Sequence, residues 1–148
     1  MIESLNHRII WPGQFSLSVP TKWKCSETGE LVTCFDPEDG VGALQFSIFT
    51  RRGSEPSLAD ARELAVKFAN ERHWPLDAVD LEVGRSEAGV FSRMSYTEPT
   101  GDYWCVWHVA TTARMALVTY NCRKEDEAVE RAVIDEVFRS FAWEERII

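Results

Sequence analysis

Four cysteines, at positions 25, 34, 105 and 122, and three histidines, at 7, 73 and 108, are the residues of this chain with the widest chemical reach. A cysteine attacks as its thiolate and needs a base or a positive charge beside it, so a Cys-His pair is the first arrangement to seek. No C-x-x-C occurs, and no Cys/His spacing of a zinc site. A hairpin turning at Ala113-Arg114 would set His108 opposite Thr119 and Cys105 opposite Cys122, so no cysteine would face His108. In an oxidising setting that opposed pair would bridge. In the reducing one expected here, all four cysteines stay free and pack as small hydrophobes.

Carboxylates cluster at Asp36, Glu38 and Asp39 around Gly40, and again at Glu125, Asp126 and Glu127. The first run is too short for a calcium loop and reads as turn chemistry; the second reads as the start of a helix, where negative charge meets the positive end of the dipole. Neither a phosphate loop, a dinucleotide fingerprint nor a nucleophile elbow occurs. No catalytic residue, metal or cofactor is therefore assigned. What remains is aromatic. Six tryptophans are present, and Tyr96, Tyr103, Trp104 and Trp107 fall on two neighbouring strands. Side chains alternate across a strand, so Trp104, Val106 and His108 share a face, and a turn over Glu98–Gly101 brings Tyr96 beside Trp104. Tyr96, Trp104 and His108 are the predicted binding residues, because Trp and Tyr anchor interfaces with an apolar body and a polar tip.

The elements that must position these residues follow from periodicity. Phe15-Ser16-Leu17-Ser18-Val19 alternates with period two and stops at Pro20, which predicts a half-buried strand. Leu31–Phe35 and Val41–Phe49, joined by Asp36-Pro37-Glu38-Asp39-Gly40, predict a hairpin. A helix is expected after Pro56, capped by Ser57 with Asp60 three positions on, showing a stripe of Leu58, Ala61, Leu64, Ala65 and Phe68 and ending at Pro75. Strand patterns resume at Leu81 and form a meander over Val90–Thr97, Tyr103–Thr111 and Met115–Tyr120. A last helix is expected from Glu125 onwards, with Val129, Ala132, Val133, Val137, Phe138 and Phe141 buried and Glu130 on its polar side. In the third meander strand both alternate sets are largely apolar, which requires cover on both faces. The fold class is α+β: an antiparallel sheet flanked by two main helices, forming one domain over residues 1–148.

Charge narrows the partners. With 16 basic against 24 acidic residues the chain carries −8, and its only adjacent basic pairs are Arg51-Arg52 and Arg123-Lys124. Nucleic acid and anionic membrane surfaces both require clustered Lys and Arg, so neither is expected. Residues 9–21 are uncharged but broken by prolines and a glycine, unlike a signal peptide, and the expected location is cytoplasmic.

The order of these signals carries a resemblance. Phe15-Ser16-Leu17-Ser18-Val19-Pro20 with Trp23, then a hairpin, a helix, a meander ending Leu117-Val118-Thr119-Tyr120-Asn121 and a helix ending Arg139-Ser140-Phe141 resembles the PsbP-like family. The resemblance implies an α/β/α sandwich and a non-catalytic binding or adaptor role, as in photosystem subunits, a nuclear-transport factor and adaptors of type VI secretion effectors. It transfers no functional residue. The leading expectation is thus a non-catalytic cytosolic adaptor engaging a polypeptide. The alternative is a small-molecule-binding protein or small enzyme with a pocket between sheet and helix, using His108; a structural homo-oligomer is the third.

Overall fold

The computed structural model describes residues 5–145. Along them run β1 (His7–Trp11), β2 (Phe15–Val19), β3 (Lys24–Thr28), β4 (Leu31–Phe35), β5 (Gly42–Thr50), α1 (Leu58–Glu71), β6 (Asp80–Ser86), β7 (Gly89–Thr97), β8 (Asp102–Ala110), β9 (Arg114–Arg123), α2 (Arg131–Arg139) and β10 (Ala142–Trp143). Seven strands make one antiparallel sheet in the order β3-β4-β5-β9-β8-β7-β6, and β1-β2-β10 make a smaller one. The α+β class and the flanking of the sheet on both sides agree with the sequence reading.

β8 lies inside the large sheet, and its two faces have separate covers. Tyr103, Cys105, Trp107 and Val109 join Phe15, Leu17, Val133, Val137 and Phe141 in the core beneath α2 and the small sheet. Met94 and Val106 pack under Ala65, Ala69 and Trp74 on the α1 side, where Val90 and Ala110 meet Ala61. Three buried alanines along α1 let its backbone approach the strands closely. Its start is held as expected: Ser57 Oγ accepts from Asp60 N–H at 3.1 Å, and Asp60 Oδ2 accepts from Ser57 N–H at 2.8 Å. Beyond α1, the same sheet face over β4, β5 and β9 presents polar Thr33, Gln45 and Thr119, which the register places in one row.

Several expectations need correction. α1 ends at Glu71 rather than at Pro75, because His73 adopts a left-handed φ of 60° and Trp74 turns into the core. The last helix begins at Arg131, not Glu125; Lys124–Asp126 form only one 3₁₀ turn, and Val129 is 61% exposed. The cause is Glu130. Its backbone is non-helical and its carboxylate is buried, accepting from Tyr120 Oη at 2.7 Å and from Val41 N–H at 3.4 Å, so it does not sit on a polar face. The β8–β9 hairpin turns at Thr112-Ala113, one position earlier than expected, which sets Cys105 opposite Tyr120 and His108 opposite Leu117. Cys105 and Cys122 are therefore not opposed. Instead Cys25 and Cys34 face each other across β3 and β4 and are disulfide-bonded, so two of the four expected free thiols are paired.

Candidate functional site

The predicted binding residues fall on the α1 side of the sheet, and Tyr96 lies opposite Trp104 as expected. Around them the chain builds a closed cluster that the sequence did not reveal. Trp74 Nε1 donates to Glu98 Oε2 at 3.0 Å and Trp104 Nε1 donates to Oε1 of the same carboxylate at 2.8 Å. The Arg72 guanidinium lies 4.2 Å from the Trp104 ring centroid and 3.5 Å from Glu98 Oε2. Burial acts to raise the Glu98 carboxyl, but the two indole donors and Arg72 outweigh it and hold it below its usual range. Trp74 also packs on Tyr96, with centroids 5.2 Å apart. Glu98 reads in sequence as an ordinary turn residue, and only the turn's folding back onto the end of α1 makes it the centre of this cluster.

His108 is 5% exposed, with Nδ1 3.4 Å from Ser92 Oγ and its ring against Phe68. Burial pushes its pKa down to about 4. Cys105 is 2% exposed on the opposite face, and burial pushes its thiol up to about 12. A neutral imidazole and a neutral thiol separated by the sheet cannot form a nucleophile–base pair. The Ser92–His108 contact is a polar pair within the core rather than an accessible dyad.

The opening suited to a guest lies on the other face. Between the outer strands and α2 runs a groove of about 540 Å³. Its floor is aromatic: Phe91 from β7 and Trp107 from β8 meet Phe138 of α2, with Trp107 and Phe138 stacked at 5.0 Å and Phe91 edge-on to Phe138 at 6.3 Å. Strand parity puts Phe91, Arg93 and Trp107 on this side, and the 3.6-residue period of α2 brings Asp135 and Phe138 to it. Arg93 bridges floor and rim, with its guanidinium 5.5 Å from the Trp107 centroid and 3.4 Å from Asp135 Oδ1. Glu82 on β6 and Glu87 in the β6–β7 turn form the outer wall, both exposed. Trp143 Nε1 donates to Ala88 O at 2.8 Å and ties that turn to the small sheet. The sequence reading named Trp107 in its aromatic group but not Phe91 or Phe138 as partners, because they come from three elements whose packing no local pattern reports. Trp107 is 1% exposed and lies beneath the stack, so the arrangement can cover an apolar side chain with the half-buried Phe91 and Phe138 rings and hold a charge at its rim.

No protein-family model matches the chain, and no curated protein sequence matches it significantly. Solved structures do. A crystal structure of a protein from Bacteroides thetaiotaomicron is similar over 96% of this chain at 18% identity with a TM-score of 0.64; the match spans 50% of that chain, about half its length. The solution structure of cyanobacterial PsbP from Synechocystis is similar over 88% of this chain and 87% of its own, at 13% identity and a TM-score of 0.66. At these identities the likeness is one of fold. The chain has the α/β/α architecture that its sequence order resembled, and the similarity to PsbP extends through nearly the whole of both chains.

Proposed function

We propose that this protein is a non-catalytic binding or adaptor protein that engages a polypeptide partner through the groove between α2 and the outer strands. The observation that carries the reading is the aromatic floor of Phe91, Trp107 and Phe138 behind the exposed edge strand β6. Rings that bury apolar area at little entropic cost, flanked by charged groups, are the usual anchor of a protein interface. No helix among the described residues is long and apolar enough to cross a membrane. The Cys25–Cys34 bond favours an oxidising compartment over the cytoplasmic setting expected from the sequence.

Affinity capture with the wild-type chain and with Phe138→Ser and Trp104→Ala, each checked for folding, tests the proposal. A polypeptide retained by wild type and Trp104→Ala but lost by Phe138→Ser is the expected result. Retention of the same species by all three would remove the groove from the account, and loss with Trp104→Ala alone would return the interface to the Tyr96–Trp104 face. A second reading, a small-molecule-binding protein, has one observation in its favour: a volume of about 540 Å³ suits a small ligand. A small molecule recovered from purified protein and displaced by Phe138→Ser would select it.

A further inference from the structure

Resting on the polypeptide-binding reading, we propose that the occupant of the groove is an extended segment that pairs with the free edge of β6 and carries a Lys or Arg two residues from a large apolar side chain. β6 closes the sheet at one end and pairs only with β7, so among the described residues the backbone groups along its outer side have no strand partner. It is seven residues long and mostly exposed. The opposite edge strand, β3, is five residues long and is tied to β4 by the Cys25–Cys34 bond.

An added strand would lie roughly 4.8 Å from β6 and project every second side chain, about 6.7 Å apart, over the groove. On β6 the groove face carries Asp80, Glu82, Gly84 and Ser86. Gly84 is the key position. It lies opposite Phe91, and a Cβ placed on it would meet Phe91 Cζ at 2.8 Å, so the ring lies across the glycine backbone and reaches toward the free edge. A large apolar side chain opposite Gly84 on the incoming strand would pack against that ring.

Two residues along the same face stands Glu82, and on the other side of Gly84 Glu87 lies in the β6–β7 turn. Glu82 stands opposite Arg93 and its charge acts on that guanidinium, but neither glutamate is within ion-pair distance of a cation among the described residues, whereas Arg93 is bridged to Asp135 and Arg139 to Glu136. The unpaired charge on the rim is negative, which selects a cationic neighbour for the apolar anchor. A second copy of this chain fits poorly: it would bring the same carboxylates and a net charge of −8 to the contact.

The test is selection of random dodecapeptides displayed against the full chain, followed by titration of enriched peptides into isotopically labelled protein. Enriched peptides should carry Lys or Arg two positions from a large apolar residue and slow amide hydrogen exchange along β6. They should lose at least about tenfold in affinity against Glu82→Lys/Glu87→Lys at low salt. Both glutamates are exposed, and an unchanged melting temperature checks the double variant. Replacing the peptide's basic residue by Glu should cost as much against the wild-type protein, so the result does not hang on one variant. Peptides that shift Trp107 and Phe138 resonances without slowing β6 exchange, or that bind the double variant equally well, overturn the strand-addition inference while leaving the polypeptide reading intact. Failure to enrich any peptide sensitive to Phe138→Ser overturns both.

Discussion

At the scale of single residues, buried polar groups give the sharpest expectations. Glu130 accepts the Tyr120 hydroxyl proton inside the core, so Glu130→Ala leaves a buried donor without its acceptor and should cost about 1–3 kcal/mol in chemical denaturation. The sequence period alone puts Glu130 on a solvent-facing side and expects almost no effect. Val133→Asp, on the buried stripe of α2, should cost several kcal/mol by burying an unpaired charge. Equal stability of wild type and Glu130→Ala would mean that the Tyr120–Glu130 contact does not form. His108 supplies a pH prediction. Its folded pKa, about 4, lies below the unfolded value near 6.5, so between these pH values the unfolded chain binds the extra proton. Stability then falls as pH drops through that window, by on the order of 3 kcal/mol for this group, and levels off below it. His108→Gln should show a shallower loss between pH 6.5 and 4.5 than wild type; parallel curves would place His108 in water.

At the scale of elements, what was legible in the sequence was what local chemistry decides. The Asp36–Gly40 turn forms because the Asp36 carboxylate accepts the Glu38 and Asp39 amide protons, and Ser57 with Asp60 caps α1; the hydrogen bonds of each device join residues no more than three positions apart. Ser57→Ala should accordingly cost about 1 kcal/mol in thermal unfolding. Elements without a pattern of their own were not legible. Residues 24–28 read Lys-Cys-Ser-Glu-Thr, with no apolar alternation, and are a strand only because β4 offers an edge; the Cys25–Cys34 pairing stayed hidden with it. One turn position decided β8–β9, and the sequence could not separate Ala113-Arg114 from Thr112-Ala113. The corrected pairing has a direct check. Alkylation of the unfolded but unreduced protein should label two cysteines, Cys105 and Cys122, and all four after reduction. Reduction should lower stability by roughly 2–3 kcal/mol, as expected for opening a loop of this length.

At the scale of the molecule, the sandwich sorts its aromatic residues into two faces with different fates. The α1 face gathers Trp74, Tyr96 and Trp104 around Glu98 and closes them with Arg72, while the α2 face leaves Phe91 and Phe138 beside an unpaired strand edge. Strand parity made both faces of β8 readable in advance, including the Tyr96–Trp104 pairing. Which face stays open depends on where α1 (Leu58–Glu71) and α2 (Arg131–Arg139), far apart in the chain, come to rest, and no window of sequence holds that information. Binding of a polypeptide along the α2 groove can be read by photocrosslinking from its rim. A benzophenone amino acid placed at Glu87 on the groove rim should, on irradiation in the native lysate, give a covalent adduct with a polypeptide, and the same group at Leu58, exposed on α1, should not. The Glu87 adduct should disappear when Phe138→Ser is added. Adducts formed equally from both positions, or from Leu58 alone, would contradict the account.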